Sequence, residues 1–112
     1  MLTLEDLKSF GADTQDGLTR CMNNEALYLK LVQLSVSDGK IAALRKAIED
    51  GDLERAFELA HALKGVFANL ALSPLQHPVA EMTERLRAKE KADYMPYVTA
   101  IEKQSEKLAM YL

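Results

Sequence analysis

Residues 59–70 of the chain read LAHALKGVFANL, a pattern that predicts an amphipathic helix. At about 100° per residue, a helical wheel that also includes residues 52–58 places the apolar side chains on one broad arc. The arc contains Ala56, Leu59, Ala60, Leu63, Val66, Phe67 and Leu70. His61, Gly65 and Asn69 fall outside the arc, as do Glu54 and Glu58. The pattern therefore predicts a helix that buries one face and exposes a histidine at its middle.

A lysine and a glycine accompany this histidine. Gly65 follows His61 by four residues, so it lies beside the imidazole on the same helix face. Glycine within a helix costs about 1 kcal/mol relative to alanine, which indicates a compensating benefit at this position. The missing side chain would let a large partner approach the ring, and Lys64 could bring its ammonium group to an anion attached there. This combination predicts a site that moves a phosphoryl group between proteins.

The motif resembles a known signature. Residues 60–65 (AHALKG), followed by residues 68–70 (ANL), are similar to the histidine phosphotransfer (HPt) domain motif, A-H-x-L-K-G with a small-Asn-Leu tail. Similar spacing is found at residues 17–20, 25–28 and 47–52, and at Leu75 ahead of Val79. Two features depart from the family pattern: Val66 and Phe67 are large where small residues are usual, and Ala71 stands where a glycine commonly ends the motif.

The resemblance implies both a fold and a reaction. The fold would be all-α, an antiparallel four-helix bundle with a short additional N-terminal helix, in a single domain of residues 1–112. His61 would accept a phosphoryl group at its outer ring nitrogen from the phospho-aspartate of a receiver domain and pass it to a second receiver. Lys64 would neutralise phosphate charge, and Gly65 would provide clearance. The implied partners are response-regulator receiver domains and a hybrid sensor histidine kinase, with Mg²⁺ bound by the receiver and no cofactor in this chain.

A docking surface around His61 is also predicted. Phe57 lies one turn before His61, near the edge of the apolar arc, and is either a core residue or part of the rim that a partner contacts. A partner on that rim would also use Ala68 and Leu72. Glu58 is either an ordinary solvated residue or a determinant of partner choice through its charge.

Composition limits the class of protein. The 112 residues carry a net charge of −3, which argues against nucleic acid as the main partner. A lone cysteine, Cys21, suits a reducing compartment, and no uncharged apolar run approaches the ~20 residues of a membrane span. The N-terminal residues lack the basic start and apolar run of a signal peptide. We therefore expect a cytoplasmic, monomeric domain without membrane insertion.

Helix signals recur along the chain. The predicted N-terminal residues are Thr3, Asp13 or Thr14, Asn24 (for a helix over Glu25–Val36), Asp38, Asp52, Ser73 and Asp93; Gly11 and Gly51 are predicted stops. Leu27, Leu31 and Leu34, extended by Tyr28, predict the buried stripe of the third segment. Leu75, Val79, Met82 and Leu86 predict that of the helix after Ser73-Pro74. The segments on either side of Asp38-Gly39 are either one bent helix or two stacked helices.

The chain has no recognisable nucleotide-binding motif. Its five glycines are scattered, and neither a Walker-type loop nor a G-x-G-x-x-G run occurs. A protein that carries phosphate without taking it from ATP receives it from another protein, so the chain is predicted to be a relay intermediate and not an enzyme by itself.

Two alternatives stay open. The first is an interaction module that keeps the fold but exchanges no phosphate, and docks on or sequesters a receiver or a kinase; the bulky Val66 and Phe67 favour it slightly. The second is a helical metal or cofactor carrier, which is disfavoured because His61 and His77 alone provide too few ligands.

Overall fold

The computed structural model describes residues 1–112 and is entirely helical. Its seven helices are α1 (Leu4–Phe10), α2 (Thr14–Arg20), α3 (Glu25–Ser37), α4 (Lys40–Glu49), α5 (Leu53–Asn69), α6 (Ser73–Arg87) and α7 (Met95–Ala109). The all-α prediction is confirmed. Two short helices, α1 and α2, lie at the N-terminus; the predicted fold named one, although the predicted start at Asp13 or Thr14 corresponds to α2. The segments around Asp38-Gly39 are two separate helices, α3 and α4.

Polar side chains begin most of these helices where the sequence predicts. Thr3 and Asp6 form a reciprocal capping box, and Asn24 and Asp52 accept hydrogen bonds from the backbone N–H groups of Leu27 and Arg55. These bonds satisfy donors that have no partner within the helix. The prediction for Ser73 is wrong by one position, because Leu72 is the N-cap of α6 and Ser73 is already its first helical residue.

The helices α4, α5, α6 and α7 contact one another in a closed circuit. α5 contacts α4 and α6, and α7 contacts α4 and α6. The buried apolar side chains form one cluster, which includes Leu7, Tyr28, Leu44, Ala60, Leu63, Phe67, Val79, Met82, Val98 and Ile101. α4 and α6 cover two sides of α5, and the side that carries His61 and Gly65 is exposed.

The predicted stripe of α6 is correct, whereas that of α3 is correct for Tyr28 and wrong for Leu31 and Leu34. Leu75, Val79, Met82 and Leu86 are all buried. On α3, Tyr28 and Val32 are buried, whereas Leu31 and Leu34 are 36% and 51% exposed. Because α3 is apolar on more than one side, its packing against neighbouring helices and not its periodicity selects the buried face.

The end of α5 is fixed by a Schellman arrangement. The N–H of Leu72 donates to the carbonyl of Phe67, and the N–H of Ala71 donates to that of Ala68. Ala71 has φ = +54°, so the alanine adopts the left-handed conformation that a glycine at this position would adopt more easily. The turn therefore forms without the glycine.

Candidate functional site

His61 lies at the middle of α5 and is exposed, as the helical wheel predicts. The buried residues on the opposite side of α5 are Ala56, Ala60, Leu63 and Phe67. Since the backbone groups at the middle of a helix are already hydrogen-bonded, the imidazole is the group through which this position can react with another molecule.

An aromatic ring orients the imidazole. The ring centroids of Phe57 and His61 are 5.7 Å apart, and the two planes are inclined by 18°. This is a stacked geometry within the range of favourable aromatic pairs. The guanidinium carbon of Arg87 on α6 lies 5.1 Å from the centroid of the Phe57 ring, close enough for a cation–π contact. Phe57, which is half-buried, therefore packs against α6 and against the imidazole at the same time.

The surface beside His61 is open at Gly65. Gly65 is exposed and helical, and a Cβ atom built on it would have no other atom within 4 Å beyond its own helix. Packing within this chain therefore does not require a glycine at this position. Glycine lowers the stability of the helix by about 1 kcal/mol relative to alanine, and no contact within the isolated chain offsets this cost.

Charged side chains of α6 lie near Lys64, on the side of His61 away from Gly65. Nζ of Lys64 lies 4.0 Å from Oε2 of Glu84, and Nε of Arg87 donates a hydrogen bond of 3.0 Å to the same oxygen. The hydrogen bond from Arg87, followed by the positive charge of Lys64, holds the pKa of the Glu84 carboxyl below its usual value. Lys64 is thus half-buried and partly paired, and not a free cation.

The predicted docking residues fall into two groups. Phe57 and Ala68 are half-buried and Glu58 is exposed, so all three offer surface to a partner. The prediction for Leu72 is wrong, because its side chain is 0% exposed. The helix α5 ends at Asn69, and the chain then turns so that Leu72 lies in the core.

Leu31 and Leu34 of α3 were not predicted to be part of this region. They line a groove of about 440 Å³ together with Ser35, Asp38, Val66, Asn69 and Leu70. Asn69 lies one helical turn beyond Gly65, so the groove continues the exposed face that carries His61. The two exposed leucines give this groove an apolar wall that a partner could cover.

Glu84 and Arg87 were also missed as neighbours of His61. Arg87 is a cation in the last turn of α6, and no pattern in the sequence indicates that this residue lies over the ring of Phe57. Glu84 and Arg87 are three residues apart, which predicts that they pair on one face of α6. This spacing does not predict which residues of α5 the pair contacts.

No group of three or more His, Cys, Asp and Glu side chains lies in a position to share a metal ion. His77, the second histidine, is exposed on α6. None of the seven helices combines the length and apolar character needed to cross a bilayer.

Comparison with known proteins adds one match to these observations. The family model described as "Hpt domain" matches residues 32–110, which is more than half of the chain and includes His61, Lys64 and Gly65. Comparison with curated proteins and with solved structures gives no significant match. The exposed histidine, its glycine neighbour and the family match lead to the same conclusion: the chain belongs to the Hpt domain family, whose members carry phosphoryl groups in phosphorelays and interact with receiver domains.

Proposed function

We propose that His61 accepts a phosphoryl group from the aspartyl phosphate of one receiver domain and passes it to the aspartate of another. The observation that carries this proposal is the exposed imidazole at the middle of α5 beside the open space at Gly65. A receiver must bring its aspartate to within a few ångströms of the ring. The missing side chain at position 65 allows that approach, and Lys64 lies close enough along the helix to neutralise part of the phosphate charge.

The exchange is a substitution at phosphorus. A ring nitrogen of neutral His61 donates its lone pair to phosphorus, and the bond from phosphorus to the aspartate oxygen breaks. The electron pair of that bond remains on the carboxylate, and the proton on the other ring nitrogen stays in place. Onward transfer is the reverse process with a different aspartate. Histidine suits this role because its neutral form is abundant near neutral pH.

The orientation of the ring is part of this proposal. Stacking on Phe57 restricts rotation of the imidazole about its side-chain torsions, so less freedom is lost when the receiver docks. The receiver is expected to supply the Mg²⁺ ion and most of the transition-state stabilisation. The chain itself would then act as a carrier and not as an enzyme.

We further propose that the receiver covers the groove formed by α3 and α5. Leu31 and Leu34 are exposed, and the groove is continuous with the face that carries Gly65. A receiver positioned over His61 would bury these leucines, and burial of apolar surface favours association. Phe57, Glu58 and Ala68 would lie at the edges of the same interface.

The family and the helix contacts support a specific architecture. We propose that α4, α5, α6 and α7 form an antiparallel four-helix bundle, which agrees with their closed circuit of contacts. The single apolar cluster supports one domain over residues 1–112. We expect a monomer that acts in the cytoplasm, where the free, buried thiol of Cys21 would remain reduced.

The test is direct labelling of the histidine. The chain is incubated with phosphoramidate, and separately with a phosphorylated receiver domain from the same genome, and acid-labile phosphate is measured. We expect label on the wild-type chain and on His77→Gln, which changes the other exposed histidine, and none on His61→Gln. Label retained at normal levels in His61→Gln would refute the proposal.

The same experiment tests the alternative of a docking module that exchanges no phosphate. That alternative predicts receiver binding without label on His61. The structure weakens the argument from bulky residues, because Phe67 lies in the core and cannot obstruct the surface.

A further inference from the structure

A carboxylate on α6 lies between two cations beside the proposed phosphorylation site. Oε2 of Glu84 accepts the hydrogen bond of Arg87 at 3.0 Å and lies 4.0 Å from Nζ of Lys64. Lys64 follows His61 by one helical turn, so its ammonium group is the cation nearest along α5 to an anion on the imidazole. In the unmodified protein this cation already faces a carboxylate.

Phosphorylation would create a competitor for Lys64. A phosphoryl group brings a charge of about −1.5 to −2 at neutral pH, together with strong acceptor oxygens. Glu84 would compete with it for Lys64 and would also repel it. The lowered pKa of Glu84 means that the carboxylate is ionised at neutral pH and carries this negative charge throughout the exchange.

We propose that Glu84 sets the phosphoryl-transfer potential of His61: held by Arg87 and paired with Lys64, its carboxylate destabilises phosphohistidine and favours transfer to the receiver aspartate. This inference rests on the proposed function and adds a residue that the labelling of His61 does not identify. Glu84 is a positioning residue, because it acts through Lys64 and through its charge. No bond to Glu84 forms or breaks.

Glu84 is expected to destabilise phosphohistidine in two ways. Removing its charge weakens repulsion of the phosphoryl group, and it also frees Lys64 to contact that group. Both effects stabilise phosphohistidine. Since exposed charge pairs have modest energies, the expected shift of the exchange equilibrium toward His61 is roughly two- to fivefold at low salt.

The test compares Glu84→Gln with a matched control on the same helix. Glu81→Gln removes an exposed carboxylate one turn earlier on α6. Each chain is phosphorylated with phosphoramidate and mixed with a receiver domain that accepts phosphate from the wild-type chain, and the final distribution of phosphate is measured. We expect the shift in Glu84→Gln, little change in Glu81→Gln, and loss of the shift near 1 M salt, where the screening length is about 3 Å.

A second measurement does not need a receiver. In phosphorus NMR of the chain labelled with phosphoramidate, a nearby carboxylate raises the pKa at which the phosphoryl group loses its last proton. Glu84→Gln should therefore lower that pKa relative to the wild type, and Glu81→Gln should leave it nearly unchanged. A residue with a merely structural role would alter the melting temperature instead.

The outcomes separate this inference from the proposed function. Equal exchange equilibria and equal phosphate pKa values in the wild type and Glu84→Gln would overturn the role of Glu84, and so would an equal shift in Glu81→Gln. In a Lys64→Ala background, the effect of Glu84→Gln should shrink, because Glu84 can then act only by repelling the phosphoryl group and no longer by pairing with Lys64. Absence of label on the wild-type chain would instead refute the phosphotransfer function itself.

Discussion

The hydroxyl of Tyr28 on α3 donates a hydrogen bond of 2.8 Å to the backbone carbonyl of Leu70, the C-cap residue of α5. The ring of Tyr28 is buried, and it also packs against Gly17 of α2, where a Cβ atom would overlap it. One side chain thus connects α2 and α3 to the end of the helix that carries His61. Two predictions follow from its burial and its contacts.

The first prediction concerns stability at high pH. Burial, followed by the negative charges of Cys21, Asp13 and Asp16, raises the pKa of Tyr28 from 10.0 to about 12. Above pH 10 the tyrosine of the unfolded chain ionises while that of the folded chain stays protonated. Stability should therefore fall by up to about 1.4 kcal/mol per pH unit until about pH 12.

Tyr28→Phe provides the control for this effect. Below pH 10 the variant should be less stable by about 1 to 3 kcal/mol, because a buried carbonyl loses its donor. Between pH 10 and 12 the difference in the free energy of unfolding between Tyr28→Phe and the wild type should narrow. Denaturant unfolding of both chains across this range measures it, and a constant difference would contradict the prediction.

The second prediction contrasts two glycines of this chain. Gly65→Ala should stabilise the fold by up to about 1 kcal/mol, because the position is helical and the added methyl group meets open space. Gly17→Ala should destabilise it by about 1 to 3 kcal/mol, because the methyl group would press on the buried ring of Tyr28. Melting temperatures should move in opposite directions, and a shift of the same sign in both variants would exclude this explanation.

Sequence periodicity predicts well where a helix has one apolar face. On α5 it predicted that His61 and Gly65 would be exposed, and on α6 it identified Leu75 and Val79 as buried. It failed for Leu31 and Leu34 on α3, because leucines, valines and one tyrosine occupy several sides of that helix. There, the fit of Tyr28 against Gly17 and Leu70 decides which face is buried.

Contacts between helices are the other feature that the sequence does not predict. The pairing of Lys64 with Glu84 depends on the register of α5 against α6, which no pattern within a single helix encodes. The stack of Arg87 on Phe57 depends on the same register. The position of Leu72 depended on where α5 ends, and helix ends are the least regular part of a periodic pattern.

The third prediction tests the groove between α3 and α5. Leu34→Glu places a charge on a leucine that is 51% exposed, so the fold should tolerate it, but binding of a receiver should weaken. The control is Leu112→Glu, which changes a leucine of similar exposure, 44%, at the end of the chain. Affinity for a receiver, measured by calorimetry, should fall only for Leu34→Glu. Equal affinities would remove this groove from the interface.

The fourth prediction concerns the stack of Phe57 on His61. Phe57→Leu keeps an apolar side chain but removes the aromatic ring, so the imidazole loses a contact of about 0.5 to 1.5 kcal/mol. The rate of phosphate transfer should fall by roughly two- to tenfold, since the ring is in the productive orientation less often. Phe10→Leu, at another half-buried phenylalanine, controls for a general loss of stability. If both variants transfer phosphate at the wild-type rate, the stack does not position the imidazole.

The fifth prediction separates stability from function at Gly65. Gly65→Gln should melt at or above the wild-type temperature, because glutamine favours the helix and its Cβ meets open space. The same side chain would occupy the surface beside His61 that a receiver must reach, and a displacement of ~1 Å can cost roughly a hundredfold in rate. Transfer from a receiver should therefore be slow, while phosphoramidate, which needs little clearance, should still label His61. Ala100→Gln, which introduces the same side chain at an exposed position of α7, should leave transfer unchanged. Transfer at the wild-type rate in Gly65→Gln would show that the receiver does not need this clearance, and unfolding would show that the glycine is needed for the helix itself.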